Sequence, residues 1–427
     1  MPSPTLSKDL PLLLGGALAA FAAGGLTMAA WMKLSNKKRV SSSLPATAQY
    51  RQKSPSISYP TYDYDKDPKG SFMKICDMLI DELMNDLSQN YSLPKRERDW
   101  LERMLQYNVK GGKMNRGLMV VQAGVAILES QGKPRDNTTL CQLAVLGWAI
   151  EWLQAWLLIA DDIMDSSVTR RSQPCWYKTL KENWYIAIND AVTIESLVYK
   201  VIKQHFAHDP SLCFGILDLM TETTLQTELG QLCDTLCDVL TLKDLTPDRW
   251  LYIVTYKTAF YSFYLSVALA MLLVGNVSDP KAYDAARKIL LEMGIYFQAQ
   301  DDYLDCYATP EQLGKIGTDI SDKKCGWLFT KAYHELLTDD VNLITKGKSL
   351  LDTHYGNCEV GSNEELKIKK LYTSLGLPKL YEEYEQASYD KIMSLKNSES
   401  GKILEKAGIP WDGVFGNFLQ KVYKRSK

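Results

Sequence analysis

One pattern, present twice, limits what this chain can fold into. The apolar run LAVLGWAIEWLQAWLLIA ends in DDIMD (Asp161, Asp162, Asp165), and ARKILLEMGIYFQAQ ends in DDYLD (Asp301, Asp302, Asp305). Runs this apolar on nearly every side, roughly residues 140–160 and 285–300, read as helices at the centre of a bundle. Positions i and i+4 share a helix face, so Asp161 aims with Asp165 and Asp301 with Asp305. The acids follow the apolar runs, toward the helix end where the macrodipole disfavours negative charge, so capping does not account for them. Three carboxylates within two turns repel one another unless a cation lies among them. Oxygen donors in that arrangement suit Mg²⁺, which takes one or two carboxylates and completes its shell with substrate phosphates and water. Two facing clusters would hold one polyphosphate through several ions.

Downstream of about Phe72 apolar residues recur at threes and fours. Ile75, Met78, Leu79, Leu83 and Leu87 form one stripe, and Leu101, Met104, Leu105 and Val109 another. Strand-like alternation is scarce, and no glycine-rich phosphate loop follows a strand. We therefore expect an all-α chain, with one large helical bundle over residues 72–427. At 46% hydrophobic and 23% charged residues it can bury a large core, and a net charge of −2 offers no global field for nucleic acid. The nine cysteines are irregularly spaced, and Cys233 and Cys237 sit at helical spacing, so the thiols read as reduced and mostly buried. His205 and His208 have no matching ligands in sequence and read as surface residues.

Anionic substrates need cations besides metal ions, and basic residues stand at apt places. Lys113 and Arg116 lie in GGKMNRG, where glycines let the backbone approach a phosphate. Arg170 and Arg171 follow the first acid cluster in TRRSQPCWY, and paired arginines can grip oxyanions. Lys257 and Thr258 sit in the apolar, aromatic segment YKTAFYSFY, where a buried lysine needs an anion. Lys315 in GKIGTD and Lys324 in SDKKC follow the second cluster. The tail KVYKRSK, with Arg425, either closes over a diphosphate or is merely solvated.

These motifs, in this order over about 350 residues, resemble the trans-isoprenyl diphosphate synthases, most of all the eukaryotic farnesyl type. The resemblance implies three Mg²⁺, with Mn²⁺ as a substitute, held on an allylic diphosphate by Asp161, Asp162, Asp165, Asp301, Asp302 and Asp305. It implies that Arg170, Lys257 and Lys315 contact the same diphosphate, and Lys324 is counted with the substrate-binding residues. Lys113, Arg116, Gln154, Arg171 and Arg425 match the isopentenyl diphosphate pocket. Thr258, Gln298 and the Lys257 carbonyl match the dipoles around the allylic cation. The implied reaction joins isopentenyl diphosphate to dimethylallyl and then geranyl diphosphate, in a homodimer. The alternatives are a geranyl or geranylgeranyl synthase, or a terpene synthase; the last needs no isopentenyl site, and that site is intact here. Two departures stand out. Ser172 occupies a position where the family commonly has glycine. Trp156 and Leu157 line the expected floor of the product pocket, where animal relatives usually have an aromatic at each position. One is larger and the other smaller, and we expect them to offset and leave a fifteen-carbon product.

The resemblance leaves out the first seventy residues, read as a hydrophobic segment at 1–39 and a flexible linker or arm at 40–71. Residues 10–32 carry no charge. As a helix they would span roughly 34 Å, against a hydrocarbon core of about 30 Å. Lys33, Lys37, Lys38 and Arg39 follow, which by the positive-inside tendency keeps the body on the cytoplasmic side. We expect an uncleaved membrane anchor, for instance in the endoplasmic reticulum. A cleaved mitochondrial or plastid leader and a helix packed on the protein's own surface are the alternatives.

Overall fold

The computed structural model describes residues 57–275, 277, 279–313, 316–337 and 341–423. The hydrophobic segment, most of the linker, Lys315 and Arg425 lie outside the described residues.

The helices begin where local chemistry starts them. Asp67, Asp209, Thr246 and Asp279 each accept a backbone N–H of the first turn, and each precedes a proline at the first helical position. That pairing satisfies an orphan donor and presets the backbone. In chain order come α1 (Pro68–Asn90), α2 (Lys95–Asn108), α3 (Asn115–Ser130) and α4 (Asn137–Met164). A hairpin of two-residue strands, β1 (Thr169–Arg170) and β2 (Gln173–Pro174), is followed by α5 (Ile186–Phe206) and α6 (Pro210–Thr235). Then α7 (Pro247–Ile253), a π-helical segment (Val254–Tyr264) and α8 (Leu265–Val274) run on without a break, before α9 (Pro280–Tyr307).

Helix α4 is central, packed between α3 and α5. Its Trp148 stacks on Phe72 of α1 at 4.5 Å and donates its indole N–H to the Phe72 carbonyl at 2.7 Å. Among the described residues two stretches, Asn137–Met164 and Pro247–Val274, are long and apolar enough to cross a membrane, but 78% of each apolar window is buried within the protein. They are core helices. A second apolar cluster, with Trp250, Trp327, Phe329, Tyr355 and Tyr372, packs round the DDYLD end of α9.

Three expectations need correction. Helix α9 is not apolar all round: Arg287 and Lys288 are exposed on an outer face, while Ile289, Leu290 and Met293 face the core. The body does not begin at residue 72. Residues from Ile57 onward dock on it: Tyr62 is buried, its N–H donates to the Asn137 side chain at 2.8 Å, and the Asn137 amide donates to the Pro60 carbonyl. That arm also explains the third. His205 is buried, between the Tyr59 hydroxyl at 3.0 Å and Glu82 at 3.1 Å, because the arm covers the end of α5. His208 is exposed. All nine cysteines are free thiols, seven of them buried.

Candidate active site

The last turn of α4 carries Asp161 and Asp162, with Asp165 just beyond it. Protein cations thread this cluster. Arg170, swung back by the β1–β2 hairpin, binds Asp162 at 2.6 and 2.9 Å and Asp161 at 3.2 Å. Lys257 reaches Asp161 at 3.2 Å, and Lys324 reaches Asp165 at 2.9 Å. Sequence reasoning missed the residue that ties the two lysines together. Asp234, buried on α6, accepts from Lys257 at 2.6 Å and from Lys324 at 3.1 Å. Its neighbour Gln231 donates to Asp161 at 3.1 Å. The buried lysine did demand an anion; nothing in ELGQLCD marked which one.

Electrostatics follow from this interleaving. Burial alone would raise Asp161 and Asp234, but the adjoining lysines, with Arg170 at Asp161, hold both below the ordinary carboxylate value. Burial would likewise deprotonate Lys257 and Lys324; Asp234 above all keeps both charged, with Asp161 also raising Lys257 and Asp165 also raising Lys324. Asp162 and Asp165 are raised, chiefly by burial.

The second cluster is arranged differently. Asp302 is buried and accepts from the Trp250 indole at 2.9 Å, the Trp327 backbone at 2.8 Å and Gln298 at 3.0 Å. Burial pushes it up to about 6 despite these donors. Asp305 is buried and accepts from the Asp319 backbone N–H at 3.0 Å. Asp301 is half-buried on the same helical turn. So the two later carboxylates brace the loop that carries Lys324. The π-helical segment links the clusters: Lys257 binds Asp161, and Thr258 donates to Gln298 at 3.1 Å, which in turn holds Asp302.

The first four residues of GGKMNRG form a loop, with Gly111 and Gly112 at φ of 112° and 72°, the left-handed region where glycine carries no penalty, and the last three open α3. Arg171 lies against Gly111 and Gly112 and donates to the Asn108 carbonyl at 3.2 Å. Lys113 is exposed at the loop's edge. Arg116 donates to Ser262 of the π-helical segment at 2.9 Å and lies 4.8 Å over the Tyr261 ring. Glu151, buried in α4 between these arginines, accepts the Gly117 N–H at 2.8 Å. Gln154 is half-buried on the next turn. Trp156 is buried and Leu157 half-buried one turn before Asp161.

The chain is similar to known proteins in sequence and fold. A family profile described as polyprenyl synthetase matches residues 98–353. A farnesyl pyrophosphate synthase of Saccharomyces cerevisiae is 44% identical over 83% of this chain and 97% of that protein. One from Candida albicans is 42% identical with the same coverages. The solved structure of Trypanosoma brucei farnesyl diphosphate synthase complexed with minodronate superposes with a TM-score of 0.74 at 30% identity, covering 84% of this chain and all of that one. An all-α bundle, six aspartates at two helix ends and relatives matched over nearly their full length agree: the chain belongs to the polyprenyl synthetase family.

Proposed function

We propose that the protein is a prenyltransferase that condenses isopentenyl diphosphate with dimethylallyl and then geranyl diphosphate to give farnesyl diphosphate. One observation carries the reading. Arg170, Lys257 and Lys324 converge on Asp161, Asp162, Asp165 and Asp234, and the neighbouring Arg171 lies against the Gly111–Gly112 loop that leads into Arg116. Relatives named farnesyl synthases match the chain at this length.

The donor set fits Mg²⁺. Among the described residues no three acidic, histidine or cysteine side chains gather round one point. Each ion would therefore hold one or two carboxylates, from Asp161, Asp165 and Asp301, and complete its shell with phosphate oxygens and water, as Mg²⁺ prefers. Bound there, the ions supply charge stabilisation for a departing diphosphate. The chain's own residues do the rest. Arg170, Lys257 and Lys324 take charge from the diphosphate as the allylic C1–O bond breaks. The Thr258 hydroxyl and the Gln298 amide face the resulting cation. Lys113, Arg116 and Arg171 hold isopentenyl diphosphate so that its double bond attacks C1. The proton lost on forming the new double bond goes to the released diphosphate. Lys315 and Arg425 complete the basic wall in this reading.

A homodimer fits the surface. Ile188, Val192, Leu225, Leu229, Leu232 and Leu236 are all at least 40% exposed along α5, α6 and the turn beyond, an apolar stripe that a second copy would cover. Residues 10–32 would tether the body to a membrane on its cytoplasmic side.

Purified protein given both five-carbon substrates in excess should form chiefly the fifteen-carbon diphosphate. Activity should vanish with EDTA and return with Mg²⁺ or Mn²⁺. Asp161→Ala should lower turnover by at least about 10²-fold. Full turnover in a chelated sample would refute the metal assignment, and a chiefly ten-carbon product would refute the farnesyl one.

A further inference from the structure

Two of the residues proposed to serve the allylic substrate, Lys257 and Thr258, sit on an unusual piece of backbone. The segment Val254–Tyr264 is π-helical, a geometry that is rare beyond single turns and must be held by its surroundings. Two glycines hold it. A Cβ built at Gly230 of α6 would lie within 3.0 Å of the backbone N and Cα of Lys257 and the carbonyl carbon of Tyr256. A Cβ built at Gly294 of α9 would lie within 3.0 Å of Ala259 Cβ and Cα. In both places the obstacle is backbone or the first side-chain atom, which cannot rotate away. Glycine is disfavoured relative to alanine inside a helix, so its use in the middle of two long helices calls for a reason of this kind.

The two contacts are matched by two side-chain holds, each one turn further along the same helix. Four residues after Gly230, Asp234 grips the Lys257 ammonium at 2.6 Å. Four residues after Gly294, Gln298 accepts from the Thr258 hydroxyl at 3.1 Å. Each helix thus admits the segment's backbone at a glycine and fixes the adjoining functional side chain with a polar group.

We propose that Gly230 and Gly294 are positioning residues for the allylic half-reaction: by letting α6 and α9 close on residues 256–259, they hold the π register that aims Lys257 and Thr258. Arg116 meets this segment only at its far end, through Ser262 and Tyr261, so the isopentenyl pocket is less exposed to a shift at residues 256–259. The proposal rests on Lys257 and Thr258 serving the allylic substrate.

The test measures kcat and both KM values for Gly230→Ala and Gly294→Ala, on protein shown folded by circular dichroism. Displacement of the reacting groups by about 1 Å should lower kcat/KM for the allylic diphosphate on the order of 10²-fold, with the KM for isopentenyl diphosphate within about twofold of wild type. Ala259→Gly added to Gly294→Ala removes one of the colliding atoms and should recover part of the loss. Gly215→Ala is the control: on the same helix α6, its Cβ would meet only the flexible end of Leu272, at 3.3 Å, and kinetics should not change. Folded Gly230→Ala and Gly294→Ala with wild-type kinetics would overturn the proposal, as would a loss shared equally by both substrates. Failure of both variants to fold would count against it too, because the glycines would then serve packing alone. Lys257→Ala separates the underlying assignment: if that variant keeps full turnover, the role of Lys257 is wrong whatever the glycines do.

Discussion

At the scale of single residues, Asp234 bears the most consequence. It sits in the protein's interior facing two ammonium groups. Removing one partner of a buried ion pair typically costs about 3–5 kcal/mol, because the other charge stays buried. Asp234→Asn should therefore destabilise the ligand-free protein by several kcal/mol at pH 7. The pH dependence has a fixed sign. A carboxyl held below its unfolded value of about 3.9 contributes stability above that pH, and the contribution is lost as pH falls toward the folded value. The gap between wild type and variant in urea melts should shrink as pH is lowered from 7 toward 3; a constant gap would mean that Asp234 acts by packing. Ser172 is a second case. It turns the β1–β2 hairpin at φ 61°, next to Arg171 at φ 53°, a left-handed pair that tight hairpin turns require and that costs a non-glycine residue roughly 1–2 kcal/mol. Ser172→Gly should raise the melting temperature by a few degrees and leave Arg170 on its carboxylates. The departure at Ser172 was visible in sequence; its backbone cost was not, since φ has no sequence signature outside glycine and asparagine.

At the scale of elements, α4 was the most legible part of the chain. An apolar run interrupted only by Glu151 and Gln154 and followed by acids admits one reading, and the helix covers it with a few residues to spare at each end. Helix α6 was opaque for the opposite reason. It is apolar on a buried face, through Cys213, Ile216 and Met220, and again on an exposed one, through Leu225, Leu229 and Leu232. Periodicity therefore could not say which side Asp234 takes. The π register of Val254–Tyr264 was also hidden, because aromatic residues on every side of the segment leave no clear 3.6-residue rhythm to break. Product length belongs at this scale too. Trp156 is buried one turn before Asp161, and one helical turn of about 5.4 Å is close to one isoprene unit. Trp156→Ala should deepen the pocket and move product from fifteen carbons toward twenty or more. An unchanged chain length, read by chromatography of the dephosphorylated alcohols, would mean that the growing tail runs elsewhere.

For the whole molecule, the docked arm moves the boundary of the body. Sequence gave no rhythm at 57–67, because the arm is held by backbone contacts to Asn137 and by two tyrosines rather than by an apolar face of its own. A chain shortened to begin at Ile57 should stay soluble and active. One that begins at Lys66 loses Tyr59 and Tyr62 and should be less stable by roughly 2–3 kcal/mol, about the value of one buried large side chain. Equal melting temperatures for the two would show that the arm adds nothing. The interleaved charges have a further consequence. With Arg170, Lys257 and Lys324 resting on its own aspartates, the ligand-free protein acts as its own counter-ion. A diphosphate arriving alone must strip cations from buried carboxylates, and a divalent ion arriving alone must push them aside. Arriving together, the two exchange partners with the protein and leave no charge uncovered. Titration calorimetry with inorganic diphosphate, corrected for its affinity for Mg²⁺ in solution, should show each ligand tightening the other by the same factor, on the order of 1–3 kcal/mol. Independent binding would mean that the cations leave their carboxylates at no cost. A site wired this way holds either visitor loosely and the pair firmly.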